Sequence, residues 1–121
     1  MNKVILTGRL VKDPELKKTK TEKDVVSNSV AVKRDVKNDK GEYDVDFINF
    51  IVFDQGASFL ANYAKKGATL ELCGRWQTRK YQDKDGKERV ANEVLVDNIG
   101  IIRQAEDKKE NYEVVDGDIP F

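Results

Sequence analysis

The sequence predicts an all-β domain with one short helix. Runs of β-branched and aromatic residues recur with a two-residue period, and Gly, Asp and Asn punctuate them as turns do. Only one stretch changes to helical spacing, and no βαβ repeat is present. At 121 residues the chain has the size of a single domain with one core.

The segment on which the rest turns is Val45-Asp46-Phe47-Ile48-Asn49-Phe50-Ile51-Val52-Phe53, too short for an independent helix and bounded by polar residues. As a strand it sends Ile48, Phe50 and Val52 to one side and Phe47, Asn49, Ile51 and Phe53 to the other. One face can be core. The second, equally rich in large apolar groups, calls for a subunit or a ligand to cover it.

Before it, Lys3 to Val11 is a first strand ending at Asp13-Pro14, where proline favours a turn. Glu15 to Asp24 is charged, without a helical stripe, and reads as a loop or weak edge. Val25 to Lys33 alternates, with Val26, Val30 and Val32 opposite Ser27, Ser29 and Lys33. Lys33 to Glu42, with Lys40-Gly41, reads as a basic, mobile hairpin connection.

After Phe53 the residues Phe59, Leu60, Tyr63 and Ala64 fall at helical spacing, Lys65 and Lys66 fit a last turn, and Gly67 fits the position just past a helix end. Thr69 to Tyr81 returns to period two. Leu70, Leu72, Gly74 and Trp76 share one face, which places Trp76 in the core, and Arg75, Gln77, Arg79 and Tyr81 share the other. Cys73 reads as a small apolar strand residue. Asp85-Gly86 turns the chain into Val90–Val96 and a last apolar patch, Ile99, Ile101 and Ile102. This order of elements fits a five-stranded Greek-key barrel of the OB type with extended β-hairpins, the helix closing one end between its third and fourth strands. Beyond Gln104 apolar density falls, so residues 1–103 are expected to form the barrel domain and 104–121 a disordered tail.

Charge and composition narrow the function. The 22 basic and 22 acidic residues cancel, but unevenly. From Gln104 onward Glu106, Asp107, Glu110, Glu113, Asp116 and Asp118 face Lys108 and Lys109, a net of −4, so the barrel carries +4. The chain has no histidine, the usual general base and a common metal ligand, and its carboxylates are scattered among lysines, so neither an enzyme nor a metal or cofactor is expected. A single cysteine, no signal-like start at Met1-Asn2-Lys3 and no apolar run of about 20 residues fit a protein of the reducing cytoplasm that does not enter membranes.

Five motifs now stand together: Asn2-Lys3-Val4-Ile5-Leu6-Thr7-Gly8-Arg9-Leu10 with Asp13-Pro14-Glu15, Asp46-Phe47-Ile48-Asn49, Ala61-Asn62-Tyr63-Ala64-Lys65-Lys66-Gly67, Gly74-Arg75-Trp76-Gln77-Thr78-Arg79-Lys80-Tyr81, and Asp116-Gly117-Asp118-Ile119-Pro120-Phe121. In this combination the chain resembles the bacterial-type single-stranded DNA-binding proteins over nearly its whole length. The resemblance implies an OB-fold that binds single-stranded DNA without sequence preference in replication, recombination and repair, in the bacterial nucleoid or a phage-infected host. It also implies a homotetramer and a C-terminal tip, Asp116, Asp118, Ile119, Pro120 and Phe121, that docks onto DNA-processing partners. The family's stacking aromatics map onto Phe47, Phe53 and Tyr81, and its backbone-contacting cations onto Arg79, Lys65 and Lys66. Arg75, Gln77, Asn49, Lys33 and Arg34 complete the candidate site. Two features depart from the pattern. The loop after the second strand offers Arg34, Asp35 and Val36 where the family often has an aromatic, and the long linker is cut to about Gln104–Val115, which suits a compact or phage-encoded variant.

Stacking on a ring uses the π-face that every base has, so it adds roughly 1–3 kcal/mol per base without reading sequence, and it selects single strands because duplex bases are already stacked. Arg75, Gln77, Arg79 and Tyr81 recur at about 7 Å along one strand face, close to the spacing of successive nucleotides. An OB-fold binding RNA or serving as a protein-complex adaptor is the alternative.

Overall fold

In a computed structural model, described for residues 1–105, six strands and one helix follow in the order β1 (Val4–Leu10), β2 (Lys17–Lys18), β3 (Asp24–Lys37), β4 (Tyr43–Phe53), α1 (Asp54–Tyr63), β5 (Thr69–Gln82) and β6 (Glu88–Arg103). The sheet order is β1-β5-β6-β4-β3-β2, and β1 also pairs with β3 through Arg9 with Ala31 and Leu10 with Val30. The five long strands therefore close on themselves. With two residues in β2, the segment expected as loop or weak edge is an edge strand against Asp24 and Val25. The closed arrangement is the five-stranded OB barrel, with α1 between its third and fourth long strands.

The two-residue period decides what fills the barrel. Val26 and Val30 from β3, Phe50 and Val52 from β4, Leu70 and Leu72 from β5 and Val94 and Val96 from β6 are all buried, joined by Leu60 and Ala57 from the helix. Complete burial of Phe50 and Leu60 is worth ~1.5–3 kcal/mol each. Gly74 is needed where β5 crosses the barrel: a Cβ there would overlap the Leu95 carbonyl of β6, and the β5–β6 register shifts at this point.

The strands outrun the barrel. β4 and β6 run parallel and pair only through Phe50–Ile51 and Val94–Leu95, whereas β3 follows β4 to Tyr43 and β5 follows β6 to Glu88. Two hairpin arms result, and they end alike. Asn38 and Asp83 each accept two backbone N–H bonds through Oδ1, from Lys40 and Glu42 and from Asp85 and Lys87, while Gly41 and Gly86 take φ of +80° and +79°. A side-chain acceptor followed three residues later by a glycine free to turn left-handed is what this tight loop demands.

Three expectations need correction. The first half of the Lys33–Glu42 stretch is strand, because β3 continues to Lys37 and the turn is confined to Asn38–Glu42. The helix ends at Tyr63, so Lys65 and Lys66 lie beyond it, and Gly67 (φ +92°) shapes a separate turn closed by the Ala68 N–H bond to the Lys65 carbonyl. The helix buries Ala57 and Leu60, with Ala64 buried just past its end, leaving Tyr63 exposed. Trp76 is not core: it is 44% exposed, because its position falls past Gly74, where β5 leaves the barrel for the arm. The side chain of Asn2 holds that point, donating to the Trp76 carbonyl and accepting from its N–H, both at 2.8 Å.

Candidate nucleic-acid interface

Strand register places the candidate residues. Opposite the core-facing set, β4 presents Phe47, Asn49 and Ile51, matched on β3 by Ala31, Ser29 and Ser27. Ile51 aligns with Leu95 of β6, and the β6 residues of that face, Leu95, Glu93, Ala91 and Arg89, pair with Arg75, Gln77, Arg79 and Tyr81 of β5. Four strands thus share one outer wall that runs out along both arms. Phe47 is 67% exposed, and Tyr81 is exposed on the β5–β6 arm. A phenyl ring held in water on a strand face buries little in the fold and is free to meet a flat partner.

Phe53 differs. It is half-buried at the corner where β4 passes into α1 without a connecting residue, Asp54 taking φ of +56° to make the bend. With Phe59, Gln55, Gly56 and Val96 to Ile99 it lines a groove of about 270 Å³ on the flank of the barrel. The ring is accessible from this groove.

The polar members are tied to each other. Glu93 is only 3% exposed, yet its carboxylate accepts from Arg79 Nε at 2.9 Å, Arg79 Nη2 at 3.3 Å and Gln77 Nε2 at 2.9 Å. Burial pushes the Glu93 carboxyl up, but the hydrogen bonds from Arg79 and Gln77 outweigh it and leave the group below its ordinary value. The same bond raises Arg79. Arg79 also lies 5.4 Å from the Tyr81 ring centroid, so the guanidinium links a buried anion to an exposed aromatic. Asn49 accepts a 2.7 Å bond from Ser29 Oγ, which orients its amide on the wall. Arg75 and Lys33 are exposed and, among the described residues, without an ion-pair partner.

The structure does not gather every candidate here. Arg34 follows Val32 onto the opposite face of the β3–β4 arm, where Asp46 holds it in two bonds of 2.9 and 3.0 Å with Asp44 at 3.9 Å. Lys65 and Lys66 lie at the other end of the barrel. The Lys66 N–H is anchored by Asp13 Oδ1 at 2.7 Å, and the two lysines border grooves formed with Tyr63, Arg9 and Arg103. From Thr69, beside Lys66, to Tyr81 a strand runs about 40 Å, so these cations and the wall could meet only one long ligand. The tip residues Asp116 to Phe121 lie outside the described residues. Sequence reasoning missed Glu93, whose place opposite Gln77 in the hairpin was the available signal, and Tyr43, an aromatic at the same parity as Phe47.

The fold and this wall define an OB-barrel of the kind that presents aromatic strand faces to nucleic acid. Residues 1–102 match the model of the single-strand binding protein family, and the chain belongs to that family. Over 102 residues, 84% of this chain, it is 42% identical to the single-stranded DNA-binding protein of Streptococcus mutans, spanning 62% of that relative. It is 41% identical to single-stranded DNA-binding protein 3 of Streptococcus agalactiae and to single-stranded DNA-binding protein 2 of Streptococcus pyogenes, spanning 74% and 63% of them. No helix among the described residues is long and apolar enough to cross a membrane.

Proposed function

We propose that the chain binds single-stranded DNA without sequence preference along the wall shared by β3, β4, β6 and β5. The observation that carries this reading is Phe47, a large aromatic ring two-thirds exposed in mid-strand and flanked on the same face by the Asn49 amide and the Gln77–Arg79–Tyr81 row. Bases stack on Phe47 and Tyr81, and on Phe53 where the strand turns onto the flank, while Arg75, Arg79, Lys33 and the anchored amides meet the backbone. Lys65, Lys66 and Arg34 lie along the outer path of a longer strand. Titration with oligo-dT, competed by duplex DNA and by RNA of matched length, tests it. Tight binding that weakens with salt and resists duplex competitor is expected, and indifference to oligo-dT overturns the reading.

The biological setting we infer is protection of single strands during replication, recombination and repair, in the nucleoid or an infected cell. An assembly of four copies is supported by apolar groups left on outer strand faces, such as Ile5 beside Cys73, and a mass measurement with and without oligo-dT checks it. The Asp116-Gly117-Asp118-Ile119-Pro120-Phe121 segment pairs carboxylates with apolar side chains, a chemistry suited to a partner pocket with a hydrophobic slot and basic rim. Loss of partner capture on its deletion, with DNA binding kept, is the expected result.

A further inference from the structure

The β3–β4 arm sorts its charges by face. On one side Asp44 and Asp46 are both turned to Arg34, and Asn38 Nδ2 donates to Asp44 at 3.0 Å, so the acidic groups of the strand are spent among themselves. The other side, continuous with Phe47, carries Tyr43, Val45, Lys33 and Lys37, with Lys33 paired to Val45 and Lys37 to Tyr43 across the hairpin, and Asp35, between the two lysines, borders the groove that Lys33 and Tyr43 line. Tyr43 is 42% exposed, and the Lys33 and Lys37 ammonium groups lie 4.5 and 5.7 Å from its ring centroid. Among the described residues neither lysine has an ion-pair partner. If this face served only to hold the hairpin, the carboxylates of β4 would satisfy its lysines. Instead they are kept on the reverse.

We propose that Tyr43, with Lys33 and Lys37, is a further nucleotide platform that extends the single-strand path from Phe47 toward the hairpin tip. A flat ring flanked by two cations, with the exposed Asp35 beside them in no ion pair among the described residues, fits a base against the ring and phosphates against the ammonium groups. Tyr43 stands four residues from Phe47, about 13 Å along the strand, which spans roughly two nucleotide steps of extended DNA. This inference rests on the wall being the DNA-binding surface.

The test is affinity for a ladder of oligo-dT lengths with Tyr43→Ala, Tyr43→Phe, Phe47→Ala and the double variant Lys33→Gln/Lys37→Gln. Tyr43→Ala is expected to lose on the order of tenfold in affinity only once the oligomer is long enough to pass Phe47. Tyr43→Phe, which keeps the ring, is expected to bind as the parent does, and the lysine variant to lower the slope of log affinity against log salt by about 1.4. Because the side chain is exposed, melting temperatures should match the parent. Phe47→Ala weakening all lengths while Tyr43→Ala weakens none overturns this platform and leaves the wall standing. If Phe47→Ala is silent as well, the wall itself is overturned and the platform with it.

Discussion

Arg79 grips Glu93 through both carboxylate oxygens, at 2.9 and 3.3 Å, although one partner is half open to water and the other is buried. This guanidinium of the wall is therefore already neutralised, and a phosphate arriving there must compete with a fixed anion. Glu93→Gln keeps the shape and removes that competitor. We expect the variant to bind oligo-dT more tightly at low salt, with a slope of log affinity against log salt steeper by about 0.7, the increment of one further phosphate contact. Fluorescence titrations at several salt concentrations measure both.

The same pair sets an asymmetry in stability. Arg79→Gln leaves a buried carboxylate with Gln77 as its remaining partner, whereas Glu93→Gln leaves a guanidinium that water can reach. Arg79→Gln should therefore lower the melting temperature more than Glu93→Gln does. Thermal melts of the two variants side by side decide it.

Acid should expose the pair as well. The Glu93 carboxyl lies below its ordinary value of 4.5 in the fold, so the unfolded chain takes up its proton first on acidification. Its contribution is present above that value and is lost as pH falls through the folded one. The carboxyls of Asp24, Asp46 and Asp83, lowered by hydrogen bonds from Lys18, Arg34 and Arg89, act in the same sense below 3.8. Melting temperature should hold down to about pH 5 and fall below it, and any advantage of the parent over Glu93→Gln should close in the same range. A gap that does not narrow on acidification would show that the carboxylate is not what distinguishes them.

Phe47 and Phe50, three residues apart, should behave oppositely. Phe50 is wholly buried, and Phe50→Ala is expected to cost about 3–5 kcal/mol of stability. Phe47→Ala removes an exposed ring, so stability should move by less than about 0.5 kcal/mol while oligo-dT affinity falls on the order of tenfold. Urea melts and DNA titrations on the same samples separate the two effects.

Why one of these residues could be placed from sequence and its neighbours only in part follows from what a strand period contains. Alternation separates Phe50 and Val52 from Phe47, and Leu70 and Leu72 from Arg75 and Arg79, since a two-residue period survives wherever a strand lies in the barrel, but with large apolar groups on both faces of β4 it does not say which of them is core. It does not say where the barrel stops. Trp76 keeps the parity of Leu70 and Leu72 but stands on an arm, and nothing local records that the opposing layer has ended. Arg79 reads as a free cation because its neutralising partner lies fourteen residues away across a hairpin. The helix end was misplaced for a related reason: Gly67 is a turn glycine whichever element precedes it, and the Ala64 N–H bond to the Leu60 carbonyl closes the helix without it.

Gly74 offers the strictest test of how the wall is built. It lies one residue before Arg75, where β5 passes so close to β6 that an added Cβ would overlap the Leu95 carbonyl. Backbone atoms cannot swing aside as a flexible side chain can, so Gly74→Ala must separate the two strands where the β5–β6 arm leaves the barrel. We expect a loss of about 1–3 kcal/mol, the usual cost of overpacking. The separation should also displace Arg75 from Leu95, and with it the wall, so oligo-dT affinity should fall together with stability. Gly86→Ala makes the contrast: no atom lies within 4 Å of its added Cβ, and only the positive φ at the hairpin tip opposes it. That variant should lose about 1 kcal/mol and leave DNA affinity unchanged. Equal effects of the two alanines on affinity would show that the close crossing at Gly74 does not set the geometry of the wall.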